Sequence, residues 1–126
     1  MFFIAADTVT AQNIKLEGMQ KSIDSTSNFW SEYAAKCNSW NLSKDAVIKI
    51  IQSRKKITKF DFNYFYDVIP CSYEGEVVIS NKRFHYQING GSFLILSTGN
   101  IYLYYGCYNQ QTKRFFIVPP ANKEGM

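Results

Sequence analysis

The chain has 126 residues and 46% apolar side chains, enough for one domain with its own hydrophobic core and too apolar for intrinsic disorder. Its net charge of +4 favours an acidic partner over a basic one but is too small to mark a polycation built for nucleic acid. No run approaches the roughly 18 apolar residues that a membrane span needs.

The N-terminus, Met1-Phe2-Phe3-Ile4-Ala5-Ala6, is apolar and is followed by small and polar residues up to Gln12. Val9-Thr10-Ala11 resembles the small-x-small end of a secretory signal, but a basic start is missing. Residues 1–12 therefore read as a signal-peptide remnant or as an N-terminal extension. Residues 13–126 read as a single domain.

Ile14, Leu16, Met19, Ile23, Trp30, Tyr33 and Cys37 fall near one helical stripe, which predicts one long helix or two helices broken at Ser25-Thr26-Ser27-Asn28. Ser43 is a good N-cap for a second helix. Asp45 lies in its first turn, and Ala46, Val47, Ile50 and Ile51 form its buried face. Arg54-Lys55-Lys56 is expected to close that helix, and Lys59 extends the basic cluster. The cluster reads as a solvated helix end or as a contact for an acidic surface. Thr58 predicts a cap for a short aromatic-rich helix that Pro70 stops, although Phe60, Phe62, Tyr64 and Tyr66 also alternate as a strand would.

After Pro70 the pattern changes to that of strands. Val77, Val78 and Ile79 are β-branched and favour a pleated strand over 76–80. Phe84, Tyr86 and Ile88 give 83–88 one apolar face, with His85 and Gln87 on the other. Asn81-Lys82 is expected to connect these two strands, with Lys82 where a tight turn prefers glycine. Asn89-Gly90-Gly91 and Ser97-Thr98-Gly99-Asn100 predict further turns, separating strands over 92–96 and 101–105. A fifth strand is expected over 114–118, ended by Pro119-Pro120. Short connections imply an antiparallel meander. The expected fold class is α+β, with N-terminal helices packed on one face of a four- to five-stranded antiparallel β-meander.

Cys71 and Cys107 flank the strand region at one end of the meander, where a curled sheet would let them form a disulfide; two free thiols are the alternative. Cys37 is left as a buried thiol. Cysteines without CxxC spacing, together with a single histidine, do not make a zinc site, and no cofactor motif is present. His85 is the one candidate base, so covalent catalysis is confined to Cys71 or Cys107 with His85. His85 reads more simply as an exposed strand residue. Glu74 and Glu76 share a strand face and read as solvated rather than as an acid pair across a cleft. The aromatics after 101 could stack on single-stranded nucleic acid, but no such motif accompanies them and half must face the core.

The segments 66–76, 88–92 and 105–107, together with Trp40-Asn41-Leu42-Ser43, resemble a group of small bacterial proteins of unassigned function. The resemblance covers roughly residues 37–118. It implies export, and likeness to immunity proteins for secreted antibacterial toxins; it assigns no functional residue. The expected function is a non-catalytic immunity or inhibitor protein, periplasmic or otherwise extracytoplasmic, with a protein partner and no nucleic acid. Arg83, Tyr102, Tyr104, Tyr108 and Arg114 are the expected partner-binding anchors. The alternatives are a structural, envelope-associated domain, a small cysteine-dependent hydrolase, and a cytoplasmic location.

Overall fold

The computed structural model describes residues 13–121, so the expectation for residues 1–12 lies outside the described residues. Strands β1 (Ile14–Leu16) and β2 (Gln20–Ile23) come first, then helices α1 (Trp30–Ser39) and α2 (Lys44–Gln52). A two-residue strand β3 (Lys55–Lys56) and helix α3 (Lys59–Phe65) lead to strands β4 (Cys71–Ile79), β5 (Lys82–Asn89), β6 (Phe93–Thr98) and β7 (Ile101–Gly106). The fold is α+β, with three helices and one curled antiparallel sheet among the described residues.

The sheet holds seven strands rather than four or five, because both ends of the β4–β7 meander are extended. β3 pairs with β7, and β1 and β2 both pair with β4. The segment read as the first helix is therefore mostly strand. Gly18 weakens a helix there, and Ile14 and Leu16 instead point alternately inward against Ile79 and Val77. Glu17, Gly18 and Met19 oppose only Gly75 and Glu76, so the edge carries one extra residue, a β-bulge. The bulge drives the Gly18 carbonyl onto Gly75: a Cβ at Gly75 would lie 2.2 Å from that oxygen. The same carbonyl accepts a 2.7 Å hydrogen bond from the Tyr86 hydroxyl.

The helical stripe holds from Trp30 onward. The Ser43 hydroxyl accepts from the Ala46 amide at 3.0 Å, and Ala46, Val47, Ile50 and Ile51 are buried. The helix does not continue into the basic cluster: it ends at Gln52, and Lys55 and Lys56 pair with Gly106 and Tyr105. Thr58 caps α3 by accepting from Asp61 N at 3.0 Å. That helix stops at Phe65, ahead of Pro70, because Tyr66 turns extended and buries its ring.

α1 and α2 cover one face of the sheet. Cys37, Trp40, Val47, Ile50 and Ile51 meet Tyr73, Val77, Tyr86, Ile88, Leu94 and Leu96 in the main core. α3 packs on the opposite face, where Phe62, Phe65 and Tyr66 join Phe93, Ile95 and Tyr104 in a second cluster. The helices thus occupy both faces, not one. The two-residue loop between β4 and β5 is Ser80–Asn81, with φ of 49° and 70°, rather than Asn81-Lys82. Two positive φ values are what a type I′ hairpin demands, and Asn81 tolerates the second.

The expected fifth strand is absent. Lys113–Phe115 forms a 3₁₀ turn, after which the Ile117 and Val118 amides both donate to the Gly90 carbonyl. The bridge is also placed differently: Cys71 is joined to Cys37, with a Cα–Cα distance of 5.8 Å, and Cys107 is a buried free thiol. Cys71 opens β4 and Cys107 follows β7, three strands away along the sheet. At about 4.8 Å per strand that separation exceeds what a disulfide spans. Cys37, on the helix lying over the start of β4, is the nearer thiol.

Candidate binding face

Strand alternation divides the sheet into a face turned to α1 and α2 and an outer face. On the outer face the register aligns Glu76, His85, Ser97 and Tyr102 in one row across β4 to β7. A parallel row holds Glu74, Gln87, Ile95 and Tyr104. α3 covers the second row at its β7 end: the Phe62 ring lies 4.8 Å from the rings of Phe93 and Tyr104. Glu76, Arg83, His85 and Tyr102 stay exposed, and Glu74 is half-buried.

His85 stands between the two carboxylates. Its Nε2 is 3.2 Å from Glu74 Oε1 and its Nδ1 is 3.4 Å from Glu76 Oε2. Only the doubly protonated ring can donate to both at once. Both ring nitrogens face carboxylates, with Ser97 as the cross-strand neighbour of His85. Shallow hollows open on either side of the imidazole. One, about 290 Å³, lies toward Gln20, Ser22 and Glu74. The other, about 400 Å³, lies toward Glu76, Arg83 and Ser97. Arg83 also pairs with Glu17 on the bulge, and this guanidinium holds the Glu17 carboxyl below its ordinary pKa.

The five expected anchors therefore separate. Arg83 and Tyr102 share the open outer face, and Tyr102 is 60% exposed. Tyr104 shares that face but is half-covered by α3. Tyr108 and Arg114 lie beyond the end of β7: Tyr108 lines a separate groove, and Arg114 stacks over Phe115 and donates to the Gln111 carbonyl. Of the expected disulfide pair, Cys71 is spent on Cys37. Burial pushes the Cys107 thiol far up, keeping it protonated and hidden from His85's face.

The placement of Glu74 and Glu76 around His85 is the feature that residue-by-residue reading missed. Its signal was available in the β4–β5 hairpin: a two-residue loop at Ser80–Asn81 puts Glu76 directly opposite His85. No group of His, Cys, Asp and Glu among the described residues is arranged to hold a metal ion. No helix among them is long and apolar enough to cross a membrane. Comparison with protein-family models, curated proteins and solved structures finds no match to this chain.

Proposed function

We propose that the protein is a non-catalytic binding protein that works by covering a surface of another protein, as an immunity or inhibitor protein covers a bacterial toxin. The observation that carries this reading is the open part of the outer sheet face. A rigid, fully paired sheet there presents an aromatic anchor, Tyr102, beside an exposed guanidinium and a carboxylate–imidazole–carboxylate row. Tyrosine and arginine next to hydrogen-bonding groups are the residues that carry binding energy at protein interfaces. The toxin-directed form of the proposal draws on the resemblance described above. The Cys37–Cys71 bridge supports an oxidising, extracytoplasmic setting. The burial of Cys107 and the bridging of Cys71 weigh against a cysteine hydrolase.

Affinity capture from the source cells, followed by mass spectrometry, tests the reading when wild type is run beside the double variant Tyr102→Ala, His85→Gln. A stoichiometric protein partner is expected with wild type, weakened at least about tenfold in the variant. Stability should change by no more than about 0.5 kcal/mol, because both side chains are exposed. A partner held equally by both proteins would place the interface elsewhere, and wild type recovered bare would remove the inhibitor reading. For a captured toxin, co-expression should restore growth with wild type and not with the variant.

A further inference from the structure

We infer that a basic groove between the C-terminal end of α2 and the turn following β7 docks an acidic segment of a protein partner. The groove encloses about 510 Å³. Ser53 and Lys55 form one wall; Tyr108, Asn109 and Lys113 form the other. No carboxylate among the described residues lines it. Lys55 and Lys113 are both exposed, and the ion pairs found among the described residues involve neither. Lys56 and Arg114 follow them directly in the chain. Lys55 and Lys113 are far apart in sequence, and the fold brings both into the lining of one groove.

Both walls are fixed before any ligand arrives. Lys55 is held in register with Gly106 by the β3–β7 pairing. Asn109 Oδ1 accepts from the Gln111 and Thr112 amides at 2.9 and 3.1 Å, and its Nδ2 reaches Ser53 Oγ at 3.4 Å. Thr112 is wholly buried, with its hydroxyl donating to the Cys107 carbonyl. The lining offers two ammonium groups, and an incoming carboxylate meets complementary charge there. The neutral lining suits a peptide: Ser53, Asn109 and Gln110 offer donors and acceptors to a backbone. A single-stranded nucleic acid would use several aromatic platforms, and among the described residues Tyr108 is the one ring in the lining. The groove gives the proposed binding protein a second contact of defined charge, and it rests on that reading only for the occupant being a protein.

The test is a titration of the whole protein with a fluorescein-labelled hexaglutamate peptide, a hexaglutamine control, a thymidine oligonucleotide, and phosphatidylserine vesicles. Lys55→Glu with Lys113→Glu is compared with Lys44→Glu with Lys82→Glu, which changes net charge equally but at exposed sites outside the groove lining. Hexaglutamate should bind wild type in a salt-dependent manner, at least about tenfold more weakly to the groove variant, and within about threefold of wild type to the control variant. The milder Lys55→Gln with Lys113→Gln should fall between, which guards against misfolding of the reversed variant. Equal losses in the two reversed variants would overturn the proposal by reducing it to net charge. Tighter binding of the oligonucleotide or the vesicles, lost in the groove variant, would overturn the assignment to an acidic peptide. The probe is a peptide rather than the natural partner, so failure here leaves the capture result standing, and a failed capture leaves this titration readable.

Discussion

The two faces of the sheet are built on opposite terms. The face under α1 and α2 is a continuous apolar surface: Tyr73, Val77, Phe84, Tyr86, Ile88, Leu94 and Leu96 are all buried there. The outer face is buried where α3 lies on Phe93, Ile95 and Tyr104, and its open part carries acids, an imidazole and a guanidinium beside Tyr102. The covered face holds the main core, and the open one carries the surface proposed above for binding. Substitutions should accordingly cost stability on the first face and recognition on the second.

The largest effect is expected from the bridge that fastens α1 to the start of β4. Cys37 and Cys71 are separated by 34 positions, which the chain-entropy model converts to about 4 kcal/mol. Denaturant unfolding with and without reductant should show a loss of that order, and Cys107→Ser should leave the reductant sensitivity in place. Alkylation of the native oxidised protein should label none of the three cysteines, and labelling after unfolding should report one thiol.

Asn89→Ala tests a residue that alternation assigns to the outer face and that is nevertheless 1% exposed. Its side chain donates to the Ile69 carbonyl and the Ser72 hydroxyl, and accepts from the Ile69 and Gly91 amides. Removing it strands several buried backbone groups, at a cost of about 3 kcal/mol, readable from the midpoint of urea unfolding. A change under about 0.5 kcal/mol would mean that the crossing from α3 to β4 does not depend on this side chain.

A smaller effect should appear at alkaline pH. Burial pushes the Tyr86 phenol up to about 12, from the ordinary 10 of the unfolded chain. Below pH 10 the phenol is neutral in both states and costs nothing. Between 10 and 12 the unfolded chain ionises and the folded one does not, so stability falls as pH rises. Tyr66, on the opposite face and also pushed to about 12, adds to the same slope. Tyr86→Phe should flatten the alkaline limb of the stability profile, and also remove the hydrogen bond to Gly18, worth about 1 kcal/mol at neutral pH.

Much of this was legible in the sequence, wherever local chemistry and tertiary packing agreed. Ser43 and Thr58 cap the helices they were expected to cap, and three meander strands fall close to where alternating residues place them, whereas β4 begins at Cys71 rather than 76 because residues 71–74 pair with β2. The failures have a common cause. Ile14 to Ile23 and Lys55-Lys56 became strands because β4 and β7 had free edges to pair, and an edge's demand for hydrogen bonds is not written in the segment that meets it. The disulfide partner was missed for the same reason: Cys37 reaches Cys71 through the way α1 crosses the sheet. Alternation left open which of Arg83, Tyr102 and Tyr104 would be exposed, because that depends on which face α3 covers: Arg83 and Tyr102 lie open and Tyr104 is half-covered.

The bulge at Gly18 has a further consequence for how the molecule behaves in a crowded solution. A long, straight outermost strand is a template on which a second chain can add and seed fibrils. Here one side of the sheet terminates in three- and four-residue pieces set out of line by the bulge and carrying Lys15, Glu17 and Lys21; the other terminates in Lys55-Lys56. Among the described residues neither side offers a continuous flat run for strand addition, which disfavours edge-to-edge zipping of copies.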